Sequence, residues 1–257
     1  MAYEQLRETA EEAARIGGRI LHDWADKFTA REKSPANLVT EADFASENAI
    51  FEFIHARYPD HRFLGEEGLN RNEGNSAFRW IIDPLDGTSN YVHGFPYYAV
   101  SIGVEEDGRM VAGAVYDPSR DEMFSASAGQ GTMLNGQPIR VSSEEDLANA
   151  LCMASLPVKT TRDDPAVQAF LRVLEAAQHV QRTGSAALNL ASVAAGRVEA
   201  FWSTSLKPWD MAAGVLLVEE AGGRVTKTQG DRFFVDDPDL LVSNGSPLHD
   251  QLIRLLG

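Results

Sequence analysis

Residues 81 to 91 read IIDPLDGTSNY, so Asp83 and Asp86 stand three apart around Pro84 and Leu85, directly after the apolar run FRWIID. Two carboxylates confined to one small volume repel, which raises one pKa unless a cation sits between them. A hard divalent ion answers that arrangement, and the Leu85 carbonyl is a further candidate oxygen ligand. Gly87 permits a turn that other residues resist, while Thr88 and Ser89 bring hydroxyls and backbone N–H donors to the next segment, where an anion could bind. The same residues also read as two successive turns, Asp-Pro and Asp-Gly. Taken alone, the motif leaves both readings open.

Three further acids sit where chemistry or plain structure could use them. Glu66, in Gly65-Glu66-Glu67-Gly68, follows Phe63-Leu64 and by itself reads as part of a solvated turn. Asp210, in PWDMAAG, stands at a helix start, where capping is the ordinary use of an aspartate. Asp43, in LVTEAD, follows Thr40 by the spacing of a helix N-terminus and could likewise only cap. A fold that gathers strand ends and helix starts would turn such acids into an oxygen-rich Mg²⁺ site.

The elements that must position them can be read from periodicity. Leu6, Ala10, Ala13, Ile16, Ile20, Trp24 and Phe28 recur at steps of three and four, which predicts an amphipathic first helix. A second helix is expected from about residue 41, with Phe44, Ile50, Phe51, Ile54 and Tyr58 as its apolar stripe and Pro59 as its stop. Between them REKSPANLV has the composition of a mobile loop. FRWIID, YYAVSIGVEE, RMVAGAVYD and DEMFSASA then predict an antiparallel meander. Beyond LCMASL the pattern alternates, with helices expected at about 164 to 177, from Ser185, from Trp209 to Ala221 and at PLHDQLIRLL. Strands are expected near HVQR, VEAFW, GGRVTK and DLLVSN. We expect one globular unit, residues 1 to 257, with an antiparallel-rich part (about 1 to 145) and an alternating part (about 146 to 257).

Composition narrows the function classes. With 23 Lys plus Arg against 38 Asp plus Glu, the net charge of -15 repels phosphate backbones and anionic headgroups, so neither nucleic acid nor a membrane is an expected partner. A chain this acidic needs bound cations to act on an anionic substrate. Cys152 is the single cysteine, so no internal disulfide forms, and its setting LCMA suits an inert core thiol in a reducing cytoplasm. The first residues carry acids throughout and lack an apolar h-region, which also favours a cytoplasmic protein. No P-loop, HExxH or GxSxG occurs, and the six histidines show no metal-ligand spacing.

In order and spacing, LVTEAD, GEEG, WIIDPLDGTSNYVHGFPYYAVSIG, GSAALNLASVAAGRVEAF and KPWDMAAG resemble the inositol monophosphatase family of Mg²⁺-dependent, lithium-sensitive phosphatases, over roughly residues 30 to 245. The resemblance implies an α+β fold, the layered α/β/α/β/α sandwich of the inositol monophosphatase and fructose-1,6-bisphosphatase type, and a homodimer. It implies Glu66, Asp83, the Leu85 carbonyl, Asp86 and Asp210 as ligands of two to three Mg²⁺ ions. Asp43 and Thr88 would orient and deprotonate the attacking water, with Glu66 counted beside them as catalytic. Gly87 and Thr88 would hold phosphate oxygens, with Ser185, Ala186, Ser203 and Asp210 on the substrate side and Lys33 following a loop that closes. The family's inositol-specific pattern has a glutamate seven residues before the position of Asp210. Here that position is Ser203, which lacks the carboxylate. Inositol monophosphate is therefore the first expected substrate and histidinol phosphate the second, with other small sugar or nucleotide phosphates behind. A non-catalytic binding protein on the same fold is the contrasting reading.

Overall fold

The computed structural model describes residues 2–25, 27–34, 37–71 and 76–257. The first helix, α1 (Ala2–Trp24), buries Leu6, Ala10, Ala13, Ala14, Gly17, Gly18 and Leu21. Small residues occupy this face because the helix lies very close to its neighbours: a Cβ on Gly17 would stand 2.8 Å from Ile50 and Ser46, and one on Gly18 2.5 Å from the Tyr116 ring. Ile16, Ile20, Trp24 and Phe28, expected in the stripe, therefore flank the contact and are half-buried. A short hairpin of β1 (Arg31–Ser34) and β2 (Asn37–Val39) leads to α2 (Glu41–His55). Lys33 belongs to this hairpin, and its side chain lies outside the described residues.

The start of α2 follows its capping signal, since Thr40 and Asp43 form a reciprocal capping box. Its buried face differs from expectation. Asp43, Ser46, Glu47, Ile50 and Ile54 are buried whereas Phe44 is 45% exposed, and the helix ends at His55, before Pro59. The polar residues sit inward because the neighbouring loops direct backbone groups at them.

The larger sheet has the order β10-β9-β8-β7-β6-β5-β3-β4. Its centre is the predicted meander of β5 (Phe78–Asp86), β6 (Ala99–Glu106), β7 (Arg109–Asp117) and β8 (Glu122–Ser127), all antiparallel. Two additions lie outside that reading. β3 (Arg62–Gly65) pairs parallel with β5 and antiparallel with the two-residue β4 (Asn70–Arg71). At the far edge β9 (Thr132–Leu134) and β10 (Gln137–Ile139) form a hairpin around Asn135-Gly136, both at positive φ, the sequence signal of a tight two-residue turn.

Residues 140–150 carry the chain to a second sheet of order β12-β11-β13-β15-β14. Its strands are β11 (Leu151–Ala154), β12 (His179–Gln181), β13 (Ala200–Ser203), β14 (Arg224–Thr226) and β15 (Leu240–Ser243), with β12, β11 and β13 mutually parallel. α1 and α2 pack on the larger sheet from outside, α4 (Pro165–Ala176) and α7 (Leu248–Leu256) pack outside the smaller one, and α5 (Ala186–Ala194) with α6 (Pro208–Glu220) lie between the sheets. The result is a layered α/β/α/β/α sandwich. Being covered on both sides, α6 buries every residue from Met211 to Val218. Gly103 and Gly113, paired across β6 and β7, admit it: a Cβ on Gly103 would stand 2.7 Å from the Ala212 Cβ. That close seating brings the N-terminus of α6 to β5.

Candidate active site

The strand β5 does not stop at Asp83 but runs on to Asp86. Opposite it, β6 advances only from Ser101 to Ala99, so one extra residue is bulged out between the two aspartates. In a regular strand residues three apart face opposite sides; the bulge adds the half-step that turns both carboxyls to one side. Proline is tolerated here because a bulge needs no ladder N–H from it. Within the bulge Leu85 N–H donates to Asp83 Oδ1 at 3.0 Å, and Ser46 Oγ of α2 donates to the Pro84 carbonyl at 3.1 Å. Gly87, at φ 97°, then turns the chain into the short α3 (Thr88–Val92), a conformation that favours glycine.

Asp86 ends at the N-terminus of α5. Its Oδ2 accepts the Ala187 N–H at 2.7 Å and the Ser185 hydroxyl. Asp210, in the first turn of α6, accepts the Lys207 N–H at 2.7 Å. One carboxyl oxygen from each of Asp83, Asp86 and Asp210 lies within 4.8 Å of the other two. Burial, followed by the charges of Glu66, Asp86 and Asp210, holds Asp83 well above the usual carboxylate range. Asp86 is pushed up to about 6 by burial, against the opposing pull of Ser185 and the α5 N–H groups. Asp210 is pushed up to about 8, by burial first and then by the charge of Asp86. Glu66 stands outside the tight trio, yet its charge acts on all three.

The donor set is entirely hard oxygen, and Asp210 stays raised although the Lys207 charge and N–H pull it down. Both properties fit a divalent cation of the Mg²⁺ type, whose charge would restore ionisation.

Beside the trio, Asp43 is fully buried, and its Oδ2 accepts both the Thr40 N–H (2.9 Å) and the Thr40 hydroxyl (2.6 Å). Asp43 Oδ1 faces the Thr88 hydroxyl at 3.3 Å, and the Leu85 carbonyl competes for the same proton at 3.1 Å. Asp43 thus both caps α2 and meets Thr88. When the Thr88 proton goes to Asp43, the hydroxyl oxygen keeps lone pairs that can accept a proton from a neighbouring water.

Three of the residues expected on the substrate side are buried. The Ser185 hydroxyl is fully buried and engaged with Asp86, Ala186 is 5% exposed, and Ser203 is 1% exposed, with its hydroxyl accepting the Ser205 N–H at 3.4 Å. Asn90, within the opening motif, has a role that only the tertiary structure reveals. Its amide donates to the Tyr97 carbonyl (2.7 Å) and the Thr183 carbonyl (2.9 Å), tying α3 to the turn before α5. Ser46 lies outside the apolar stripe that periodicity predicts, and only its contact with the Pro84 carbonyl marks it.

A family model described as the inositol monophosphatase family matches residues 2–257. Inositol monophosphatase 2 of Solanum lycopersicum is 42% identical, over 98% of this chain and 98% of its own. The Nus factor SuhB of Pseudomonas aeruginosa is 40% identical, over 94% of this chain and 92% of its own. Among solved structures, an inositol monophosphatase from Anabaena superposes with a TM-score of 0.89 at 36% identity, covering 100% of this chain and 96% of that one. SaIMPase-II bound to inositol monophosphate superposes at 0.82 with 29% identity, covering 97% and 92% of the two chains. The same protein bound to 2'AMP superposes at 0.81, also with 29% identity, covering 99% and 94%.

Proposed function

The chain belongs to the inositol monophosphatase family, a family of phosphomonoesterases, and we propose that it hydrolyses a small phosphorylated polyol, inositol monophosphate first, with Mg²⁺ as cofactor. The observation that carries this reading is the convergence of Asp83, Asp86 and Asp210 beside the Asp43–Thr88 contact. Glu66 and the Leu85 carbonyl complete the ligand set in this proposal. Bound there, the cation would neutralise phosphate charge and acidify a water in its shell. Thr88 would accept a proton from the attacking water as its own hydroxyl proton passes to the Asp43 carboxylate, and the backbone N–H groups of Gly87 and Thr88 would receive phosphate oxygens. No side-chain nucleophile is required, which agrees with the burial of Cys152, whose thiol is pushed up to about 12.

Ser203 bears on the choice of alcohol. A buried serine supplies no carboxylate to a sugar hydroxyl, so histidinol phosphate stays the second substrate, and the 2'AMP held by SaIMPase-II adds a nucleotide to the panel. The test is phosphate release from inositol 1-phosphate, histidinol phosphate and 2'AMP, with Mg²⁺, with lithium added and with EDTA. We expect Mg²⁺-dependent turnover of inositol 1-phosphate that lithium suppresses. Turnover undiminished in EDTA overturns the metal dependence, and a preference for histidinol phosphate selects the second substrate. The name of the Pseudomonas relative favours one further reading, a protein acting through its surface. Any such binding should survive Asp86→Asn, whereas turnover should not. A homodimer in the cytoplasm belongs to the same proposal and is checked by light scattering and by cell fractionation.

A further inference from the structure

α2 places Asp43, Ser46 and Glu47 on one buried face, at i, i+3 and i+4. Each reaches a different part of the site: Asp43 the Thr88 hydroxyl, Ser46 the Pro84 carbonyl in the bulge, and Glu47 the loop that carries Glu66. The first two contacts touch motifs already assigned a role. The third does not, and it involves an acid 5% exposed on a helix face where apolar residues would be expected. A buried carboxyl is costly unless hydrogen-bonded, and the bonds Glu47 makes are specific. Its Oε2 accepts the Glu67 N–H at 2.9 Å and its Oε1 accepts the Leu69 N–H at 3.2 Å.

These bonds close a small loop around Glu66. Gly65 N–H donates to the Leu69 carbonyl at 2.6 Å, and Glu66 N–H donates to the Ile82 carbonyl of β5 at 3.3 Å. The backbone flanking Glu66 is thereby tied to β5 on one side and to α2 on the other. Gly65 is shaped by the same contact: a Cβ there would collide with Glu47 Oε2. Without Glu47, two backbone donors in this turn would lose their acceptor, and the turn would lose its link to the helix that also holds Asp43.

We propose that Glu47 is a positioning residue for the cation site, fixing the Glu66 loop from the α2 side so that the Glu66 carboxylate is presented to Asp83, Asp86 and Asp210. This rests on the reading of those acids as a Mg²⁺ site. Partners that orient ligands without touching the ion typically change metal affinity by about 10- to 100-fold when removed.

The experiment is calorimetric titration of the full chain with Mg²⁺ in the absence of substrate, on the wild type, Glu47→Gln, Glu66→Gln and the double variant, with thermal unfolding in EDTA as the check on folding. Glu47→Gln should weaken Mg²⁺ binding by about 10-fold or more. The double variant should bind no more weakly than Glu66→Gln alone, because Glu47 acts through Glu66. In turnover assays the Mg²⁺ concentration for half-activity should rise while kcat at saturating Mg²⁺ falls much less. Gly65→Ala displaces the Glu47 carboxyl without altering a charge, and it should weaken Mg²⁺ binding likewise, which settles the matter if Glu47→Gln does not fold. Wild-type affinity in a folded Glu47→Gln or Gly65→Ala protein, or full additivity of Glu47→Gln with Glu66→Gln, overturns the proposal. A wild type that binds no Mg²⁺ overturns the cation site itself and this inference with it.

Discussion

Two clusters of buried polar side chains resolve their burial in opposite ways. His249 of α7 is fully buried, with Nδ1 at 2.8 Å from the Ser243 hydroxyl and Nε2 at 2.9 Å from the Thr226 hydroxyl. The Nε2–H tautomer satisfies both contacts: Nε2–H donates to the Thr226 hydroxyl, which itself donates to the Lys227 carbonyl at 2.8 Å, and the Ser243 hydroxyl donates to Nδ1. Burial, helped by Arg224, pulls its pKa down to about 4, so the ring stays neutral. In the aspartate trio Asp83 and Asp86 are buried and Asp210 half-buried, but its members share one sign of charge, and desolvation raises their pKa values instead. One cluster is neutral and hydrogen-bonded on both ring nitrogens as the chain folds; the other gathers three acids of like charge, which the proposed cation would neutralise. Polar burial that is internally satisfied supports structure, and polar burial left in conflict marks chemistry.

The largest expected effect separates the two in activity. Asp86→Asn keeps a carbonyl acceptor for α5 but removes a charge, so turnover should fall by at least about 100-fold, while the metal-free protein unfolds at the same temperature or higher. Phosphate release and melting in EDTA check this, and a large loss of stability would erase the distinction. His249→Ala should do the converse. A cavity, and the loss of one partner from each of the Thr226 and Ser243 hydroxyls, should destabilise the fold by about 2–4 kcal/mol, with kcat per folded molecule unchanged in denaturant titration and assay.

The pH dependence of metal-free stability should also divide. The raised pKa values of Asp86 and Asp210 make their contribution fully present below the ordinary value of 3.8 and lost as pH rises through about 6 and about 8. His249 has the opposite sign: its contribution is present above 6.5 and lost as pH falls through about 4. In EDTA, Asp210→Asn should therefore flatten the alkaline decline and His249→Gln the acid one, both read from melting curves. Mg²⁺ stabilisation should grow from pH 6 to 8, as its ligands shed protons. The smallest effect falls on Ser185→Ala, which removes a hydroxyl from Asp86 and a cap from the Leu188 N–H. It should cost about 1 kcal/mol of stability and shift the pH profile of Mg²⁺ binding upward, since Asp86 loses a donor that favours its charged form.

Much of this was legible in the chain. The capping pair Thr40 and Asp43, the meander from Phe78 to Ser127 and the start of α5 at Ser185 follow local rules, and they fold as read. The second helix face was misread because periodicity alone assigns an inward position to Phe44 and none to Ser46 or Glu47. Their inward placement depends on donors in a loop 20 residues away in sequence and an acceptor in the β5 bulge 38 residues away. The hairpin around Asn135-Gly136 went unread although its turn signal was present, since three-residue strands show too little alternation to register.

The sequence by itself determined which groups were available: acids at strand ends and helix starts, Gly-Thr after the second aspartate, and an excess of negative charge that calls for a cation. Only the tertiary structure decided which of them meet. The bulge that turns Asp83 and Asp86 to one side, the glycine-lined approach that seats Asp210 against β5, and the burial of Ser185 and Ser203 all arise from contacts between distant segments. A local pattern can specify a turn or a cap, because those are made from neighbouring residues. Which carboxyl faces which is set by packing, and packing is a property of the whole chain.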